Sequence, residues 1–446
     1  MARELFDALA AGGGGTEAIR ELAAAERSKH SLLLRGVIKA AEAVGADQAR
    51  FAQNGLDVLS AVEHRHPHIA ARIMCYPSVG AWALHTVRAM RGGTGAAGAY
   101  PERLAAVAAA AAVRSGLDAE VPVRPDAGVV SLPSLGAARV NADVATVRSS
   151  GGHAEICWAH GRVDIPSDPQ RDSPGWQGVR RVLDGNFDIG IDDLDPFRMP
   201  AVPGLAPRLS AHEADEWIRM IQDGWHLLAT DHPEVAAEVA AAISAVIPLS
   251  RSAHGQLSSS SPETFGAIAM SQPPDPYTCA VTFTHEVQHL KLSALLDIVS
   301  LILPDDGCRY YAPWRADPRP LSGLLQGAYA YMGVTEFWRT QLRLADGPVR
   351  LRADGEFALW RDGTAQVIDT LLPSRRLTAA GRDFVQRMSK TVTAWQSEPV
   401  SAQARAFARG ESRRHLARWE LDNGPVLAWR QRDGSDRGWV EVPVDP

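Results

Sequence analysis

Cysteine is scarce in this chain. Cys75, Cys157, Cys279 and Cys308 are the only four in 446 residues, widely spaced and with no CxxC pair. That excludes a disulfide framework and a zinc ribbon, and it reads as reduced, mostly buried thiols in a cytoplasmic protein. A basic excess is also missing. Lys and Arg number 46 against 52 Asp and Glu, a formal charge of -6, which argues against a general nucleic-acid binder. No run approaches the roughly 18 apolar residues of a membrane span. The start, MARELFDALAAGGGG, lacks the basic-then-apolar order of a signal peptide. Neither nucleic acid nor membrane is therefore an expected partner, and the sequence does not set the oligomeric state. What is present, 46% hydrophobic and 22% charged residues, is an ordinary soluble globular composition long enough for two or three domains.

Periodicity predicts an α+β, mainly helical chain. Residues 1–119 form a helical N-terminal region, in which apolar residues recur at three and four and Gly or Pro clusters punctuate the pattern. Residues 120–205 switch to period two and predict short antiparallel strands, followed from Trp176 to Pro196 by a connector. Residues 206–350 form the expected metal-binding core, and 351–446 a helical C-terminal region. Helix is expected from Ser210 to Val246, with Ser210 and Glu213 as a capping box. Two histidine groups carry no metal reading: the first reads as a solvated turn and the second as structural. His64, His66 and His68 are spaced by two around Pro67, wrong for one helical face, and His153 and His160 flank Cys157 on alternating strands.

The chemistry concentrates at His285-Glu286-Val287-Gln288-His289. Residues i and i+4 lie on one helical face with side chains about 5–6 Å apart, so two neutral imidazoles can grip one divalent metal. Glu286 between them can act as a base or orient a ligand. The bland alternative is an amphipathic helix whose polar face carries two histidines. The helix is expected from Tyr277 to Leu303, closed by Pro304, with Phe283, Val287, Leu290 and Ala294 on its apolar face. The strand TFGAIAMS precedes it, the order in which zinc peptidases set an edge strand beside a HExxH helix. A peptide can add itself to such an edge. The core is accordingly expected to be zincin-like, a strand plus the HExxH helix.

A catalytic metal needs further ligands. In the next helical stretch, LSGLLQGAYAYMGVTEFWRTQ, Gln326 stands where glutamate-type zinc peptidases place a carboxylate. Its amide oxygen can coordinate as a weak neutral ligand. Glu336 follows ten residues later, about 15 Å along the helix, so both cannot reach one ion. Either Gln326 is the third ligand, or it supports the site while Glu336 or water completes it. Between the two helices RYYAPWRADPRP carries Arg309, Arg315 and Arg319, whose planar guanidiniums suit the carboxylate of a dicarboxylic co-substrate or, alternatively, surface acids.

Taken in order, YPSVGAWALHTVR, SGLDAEVPV, LPSLG, IDDLDPFR, FGAIAMSQPPDP, HEVQHLKLSALLD, RYYAPWRADPRPLSGLLQGAYAYMGVTEFWR and HLARWELDN span nearly the whole chain. This series resembles the bacterial HExxH-domain family that accompanies ribosomally made peptides of the FxSxx type. The resemblance implies an iron(II), 2-oxoglutarate-dependent peptide β-hydroxylase acting on a ribosomal precursor peptide. His285 and His289 would hold iron, Gln326 would stand at the third position, and Arg309, Arg315 or Arg319 would hold the distal carboxylate. Glu286 would orient a ligand or water. Some members carry His where this chain has Gln326 and Tyr331, so it departs from the pattern there. Two other classes remain open: a zinc metallopeptidase with Glu286 as general base, and a catalytically weak protein that binds and presents the precursor.

Overall fold

The computed structural model describes residues 1–91, 98–200, 202–251 and 256–425. Part of the polar loop expected after Arg251 (residues 252–255) and the end of the C-terminal region (426–446) lie outside these residues. Six helices come first: α1 (Arg3–Ala10), α2 (Gly15–Val44), α3 (Ala46–Arg65), α4 (Pro67–Met74), α5 (Pro77–Arg91) and α6 (Leu104–Ser115). Six short strands follow, β1 (Ala119–Val123), β2 (Val129–Leu132), β3 (Gly136–Arg139), β4 (Ala145–Ser150), β5 (His153–Trp158) and β6 (Gly161–Ile165). Then come β7 (Trp176–Gly178), β8 (Arg180–Asp184) and β9 (Phe187–Ile191), and helices α7 (Ala211–Asp231) and α8 (Pro233–Ala242). Strands β10 (Ala245–Leu249), β11 (Ser258–Ser260) and β12 (Ala267–Ser271) lead into α9 (Pro276–Leu296). Helices α10 (Leu321–Leu344), α11 (Gly347–Leu371), α12 (Ala379–Gln396) and α13 (Ala402–Asn423) end the described chain. This is a mainly helical α+β protein with three small, mostly antiparallel sheets. No helix among the described residues is long and apolar enough to cross a membrane.

The chain divides into two compact units, each built from separated stretches. One comprises Met1–Leu22, Trp225–Ala241 and Tyr277–Pro446; the other comprises Ala23–Gly224 and Ala242–Pro276. All twelve strands belong to the second unit. Its core surrounds α6, an alanine-rich helix with Leu104 through Ala112 all buried. Small side chains let neighbours approach closely. A Cβ on Gly55 of α3 would lie 2.8 Å from the backbone of Leu104 and Ala105, so glycine is required at that crossing. The helix stops at Gly116, which takes the left-handed conformation (φ 69°) while Leu117 N–H donates to the Ala112 carbonyl.

The alternating stretch folds as expected into antiparallel ladders, with sheet orders β1-β4-β5-β6 and β2-β3-β7. Three expectations need correction. The segment read as a connector, Trp176–Pro196, instead contains β7, β8 and β9. The helix expected to run to Val246 ends at Ala242, and Ala245–Leu249 is a strand. AVIPL is buried at all five positions and pairs in parallel with both β9 and β12, so it shows no alternation to read. Strand β12, expected as an edge, is bonded on both sides, to β10 and to β11. The expected capping box does form: Ser210 N–H donates to Glu213 at 2.8 Å, and Glu213 N–H donates to Ser210 Oγ at 3.2 Å.

A buried polar network ties the second unit together. Tyr76 O–H donates to Asp192 at 2.8 Å, Ser78 O–H donates to Asp195 at 2.8 Å, and Arg103 grips both oxygens of Asp195. Loss of water, then the nearby Asp195 charge, pushes Asp192 up to about 6. Because that lies above the unfolded value, its contribution to stability is full below about pH 4 and is lost as pH rises through about 6. Asp192→Asn, which stays neutral, should therefore be less stable relative to the native chain at pH 4 than at pH 7. The change is on the order of 2–3 kcal/mol, read by urea unfolding at the two pH values.

In the first unit, Lys291 of α9 is wholly buried. It donates to Glu238 at 2.8 Å and to the Gly12 and Gly13 carbonyls at 3.1 and 3.0 Å. Gln288 donates to the same Gly12 carbonyl at 2.9 Å, and Tyr329 O–H donates to the Leu9 carbonyl at 2.7 Å. The N-terminal turn is thereby pinned to α9 and α10. Lys291→Met should destabilise this unit by about 3–5 kcal/mol, since it leaves Glu238 charged and unpaired. Adding Glu238→Gln should recover part of that loss in chemical denaturation.

Candidate metal centre

Helix α9 begins with Pro276 in its first turn, where a missing N–H costs nothing, and ends at Leu296, earlier than the expected Pro304. Phe283, Val287, Leu290 and Ala294 are buried as expected. So are Thr284, Glu286, Gln288 and Lys291, so the helix is enclosed nearly all round. His285 and His289 are half-buried. Their Nε2 atoms lie 3.1 Å apart, with the rings 4.7 Å between centroids. At an ordinary metal–nitrogen distance of about 2.0–2.1 Å, that separation corresponds to a ligand angle of about 100°, close to tetrahedral or octahedral values.

Gln326 sits on α10 opposite His289. Its Oε1 is 3.0 Å from His289 Nδ1, and its Nε2 donates to Ser293 Oγ at 3.3 Å. An amide oxygen can only accept, so His289 Nδ1 carries the proton and Nε2 keeps its lone pair facing His285. Loss of water around His285, then the neighbouring His289, holds His285 well below the usual histidine range. The His285 ring is thus in the neutral form that metal ions bind. Among the described residues no third His, Cys, Asp or Glu joins these two within ligand spacing. The donor pair fits one divalent transition-type ion with several positions left for other ligands. Glu286 is 1% exposed, and its Oε2 has no hydrogen-bond partner among the described residues.

An aromatic wall borders the pair. Tyr331 meets His285 edge-on at 5.2 Å, stacks on Trp314 at 4.5 Å and contacts Trp360 at 4.4 Å. Trp360 N–H donates to Glu356 at 2.6 Å. Burial pushes the Tyr331 phenol up, with Glu356 and Glu286 adding to the rise and Arg315 opposing it. A Cβ on Gly327 would fall 2.4 Å from Trp314 Nε1, which explains the glycine after Gln326. Trp314 lay within the arginine-rich phrase. Trp360 and Glu356 carry no sequence signal, because α11 contains no motif.

The arginines are engaged with carboxylates of their own loop. Arg315 donates through Nε to Asp317 at 2.9 Å, and Arg319 donates through Nη1 to the other oxygen of Asp317 at 2.9 Å. Arg315 Nη1 makes no hydrogen bond among the described residues. Arg319 packs on Gly323, one turn before Gln326. Arg309 pairs with Asp305 at 3.1 Å. Glu336 is taken by Arg339 at 3.1 Å.

Of the other histidines, His64 and His68 are exposed on α3 and α4. His153 is brought to Glu155 and Asp164, whose ligand atoms lie within 4.8 Å of one another on the largely exposed face of β5 and β6. That grouping was missed because Asp164 comes from the partner strand of a hairpin. No protein-family model matches this chain, and no curated protein does.

Gln326→Leu should weaken metal binding by about 10–100-fold, because His289 loses the acceptor that fixes its tautomer. Equilibrium dialysis against zinc, with circular dichroism to confirm folding, measures this. Gly327→Ala should cost about 1–3 kcal/mol through displacement of Trp314, read from denaturation and a shift in tryptophan emission.

Proposed function

We propose that the chain is an iron(II)- and 2-oxoglutarate-dependent hydroxylase that acts on the β-carbon of a residue in a ribosomally made precursor peptide. The observation that carries the metal part is the approach of His285 and His289 Nε2 to 3.1 Å, with His289 held through Nδ1 by Gln326. In this proposal Gln326 sets the tautomer and angle of His289 from the nitrogen that faces away from the metal. Iron bound there would supply dioxygen activation coupled to oxidative decarboxylation of 2-oxoglutarate, the net result being insertion of one oxygen atom into a C–H bond. A site with two protein donors among the described residues leaves room for a chelating co-substrate and suits that chemistry. The choice of reaction and of peptide substrate rests on the sequence resemblance.

The chain's own residues do the rest. Arg315 offers Nη1 to the distal carboxylate, while Asp317 keeps its other edge in place. Trp314, Tyr331 and Trp360 exclude water beside the histidines and give the substrate an apolar surface. Glu286 holds a water or ligand proton through the Oε2 that has no partner among the described residues. The zincin-like element retained in this proposal is helix α9 itself.

One observation favours a second reading, a zinc metallopeptidase. Glu286 is buried with its Oε2 lacking a partner among the described residues, and next to the two histidines it would serve as a general base for zinc-bound water.

Anaerobic addition of iron(II) and 2-oxoglutarate should produce the weak visible charge-transfer band of the chelated complex, and Arg315→Ala should reduce it. Glu286→Gln should leave a large part of hydroxylation, read as one added oxygen by peptide mass spectrometry. Firmly retained zinc, no response to 2-oxoglutarate, and peptide cleavage abolished in Glu286→Gln would establish the peptidase instead.

A further inference from the structure

In the strand-bearing unit, three arginines gather around one carboxylate. Arg181 donates to Asp188 through Nε at 2.7 Å, and Arg72 donates to it through Nη2 at 2.6 Å. Arg114, in the last turn of α6, completes the group without a carboxylate of its own among the described residues. Its one hydrogen bond runs from Nη2 to the Ser134 carbonyl at 3.4 Å, and its buried Nε has none. Three guanidiniums against Asp188 leave an excess of positive charge in a partly desolvated place. Loss of water, then the Arg72 and Arg181 charges, brings Arg114 down to about 10, still protonated at neutral pH.

Beside this group opens a cavity of about 440 Å³, lined by Arg114, Arg181, Gln170, Ser149, His153 and Asp168 among others, the Asp168 carboxylate being paired with Arg171 at 3.3 Å. That size falls within the range of about 300–1,000 Å³ typical of small-molecule sites. Gln170 is itself oriented, its Oε1 accepting from Arg181 at 2.7 Å and its Nε2 donating to the Ser134 carbonyl at 3.3 Å. We propose that this cavity is an anion site, separate from the histidine pair, that binds the phosphate or carboxylate group of a small polar molecule through Arg114. A bound oxyanion would accept from the edge of the Arg114 guanidinium that the Ser134 carbonyl does not take, and it would offset the repulsion among the three arginines.

The test is calorimetric titration of the full chain with inorganic phosphate and, separately, with succinate. Saturable binding of at least one is expected, weakening as salt is raised. Arg114→Gln should lower the affinity about 10–100-fold, the ordinary effect of losing a charge-assisted hydrogen bond. Ser167→Glu places a carboxylate at an exposed position of the cavity wall and should weaken binding in the same direction. It decides the matter if Arg114→Gln fails to fold. Phosphate binding alone would assign a phosphorylated ligand and succinate binding alone a carboxylate; both would assign a general oxyanion site. Binding of neither anion, or binding that the folded variants leave unchanged, overturns the proposal.

Discussion

Two imidazole nitrogens 3.1 Å apart cannot both present lone pairs to each other without something between them. Either one carries a proton and donates to the other, or a cation sits where both lone pairs point. Gln326 settles half of this by accepting from His289 Nδ1, and it thereby directs the Nε2 lone pair toward His285. Once that tautomer is fixed, the site needs only a neutral His285, and loss of water around the ring supplies it.

Holding the pair so close requires a helix that does not move, and α9 is held from its other faces. Lys291 and Gln288 both donate to the Gly12 carbonyl, and Lys291 closes on Glu238, whose other oxygen accepts from Gly15 N–H at 2.8 Å. Burying an ammonium is costly unless every proton finds an acceptor, and here all three do. The polar residues that flank the two histidines therefore divide the labour. Glu286 Oε2 has no hydrogen-bond partner among the described residues, while Gln288 and Lys291 anchor the helix behind the two histidines.

Much of this was legible in the chain, for physical reasons that differ by region. Spacing of four put both histidines on one helical face, and the period-two stretches before Ile165 gave antiparallel hairpins. AVIPL, buried on both faces, has no period to read, and so the parallel pairing of β10 with β9 and β12 was not foreseen. Gln326 was expected near the metal and lies against His289. Which ring nitrogen it would face depends on side-chain torsions and on how α10 crosses α9, and spacing says nothing about either. Lys291 reads as a polar residue on a helix; Glu238, 53 positions earlier, and the Gly12 and Gly13 carbonyls explain its burial. Trp360 and Glu356 reach the site through helix packing alone. The loop arginines were legible as carboxylate binders, but not that Asp317 would take both Arg315 and Arg319.

The most direct measurement is the number of divalent ions bound per chain, taken by anaerobic dialysis against iron(II) and in parallel against zinc. One ion per chain is expected, lost in His285→Ala and in His289→Ala and kept in Asp164→Asn, which alters the exposed group on β5 and β6. Metal content unchanged by both histidine substitutions, or no ion bound by the folded native chain, would contradict the account.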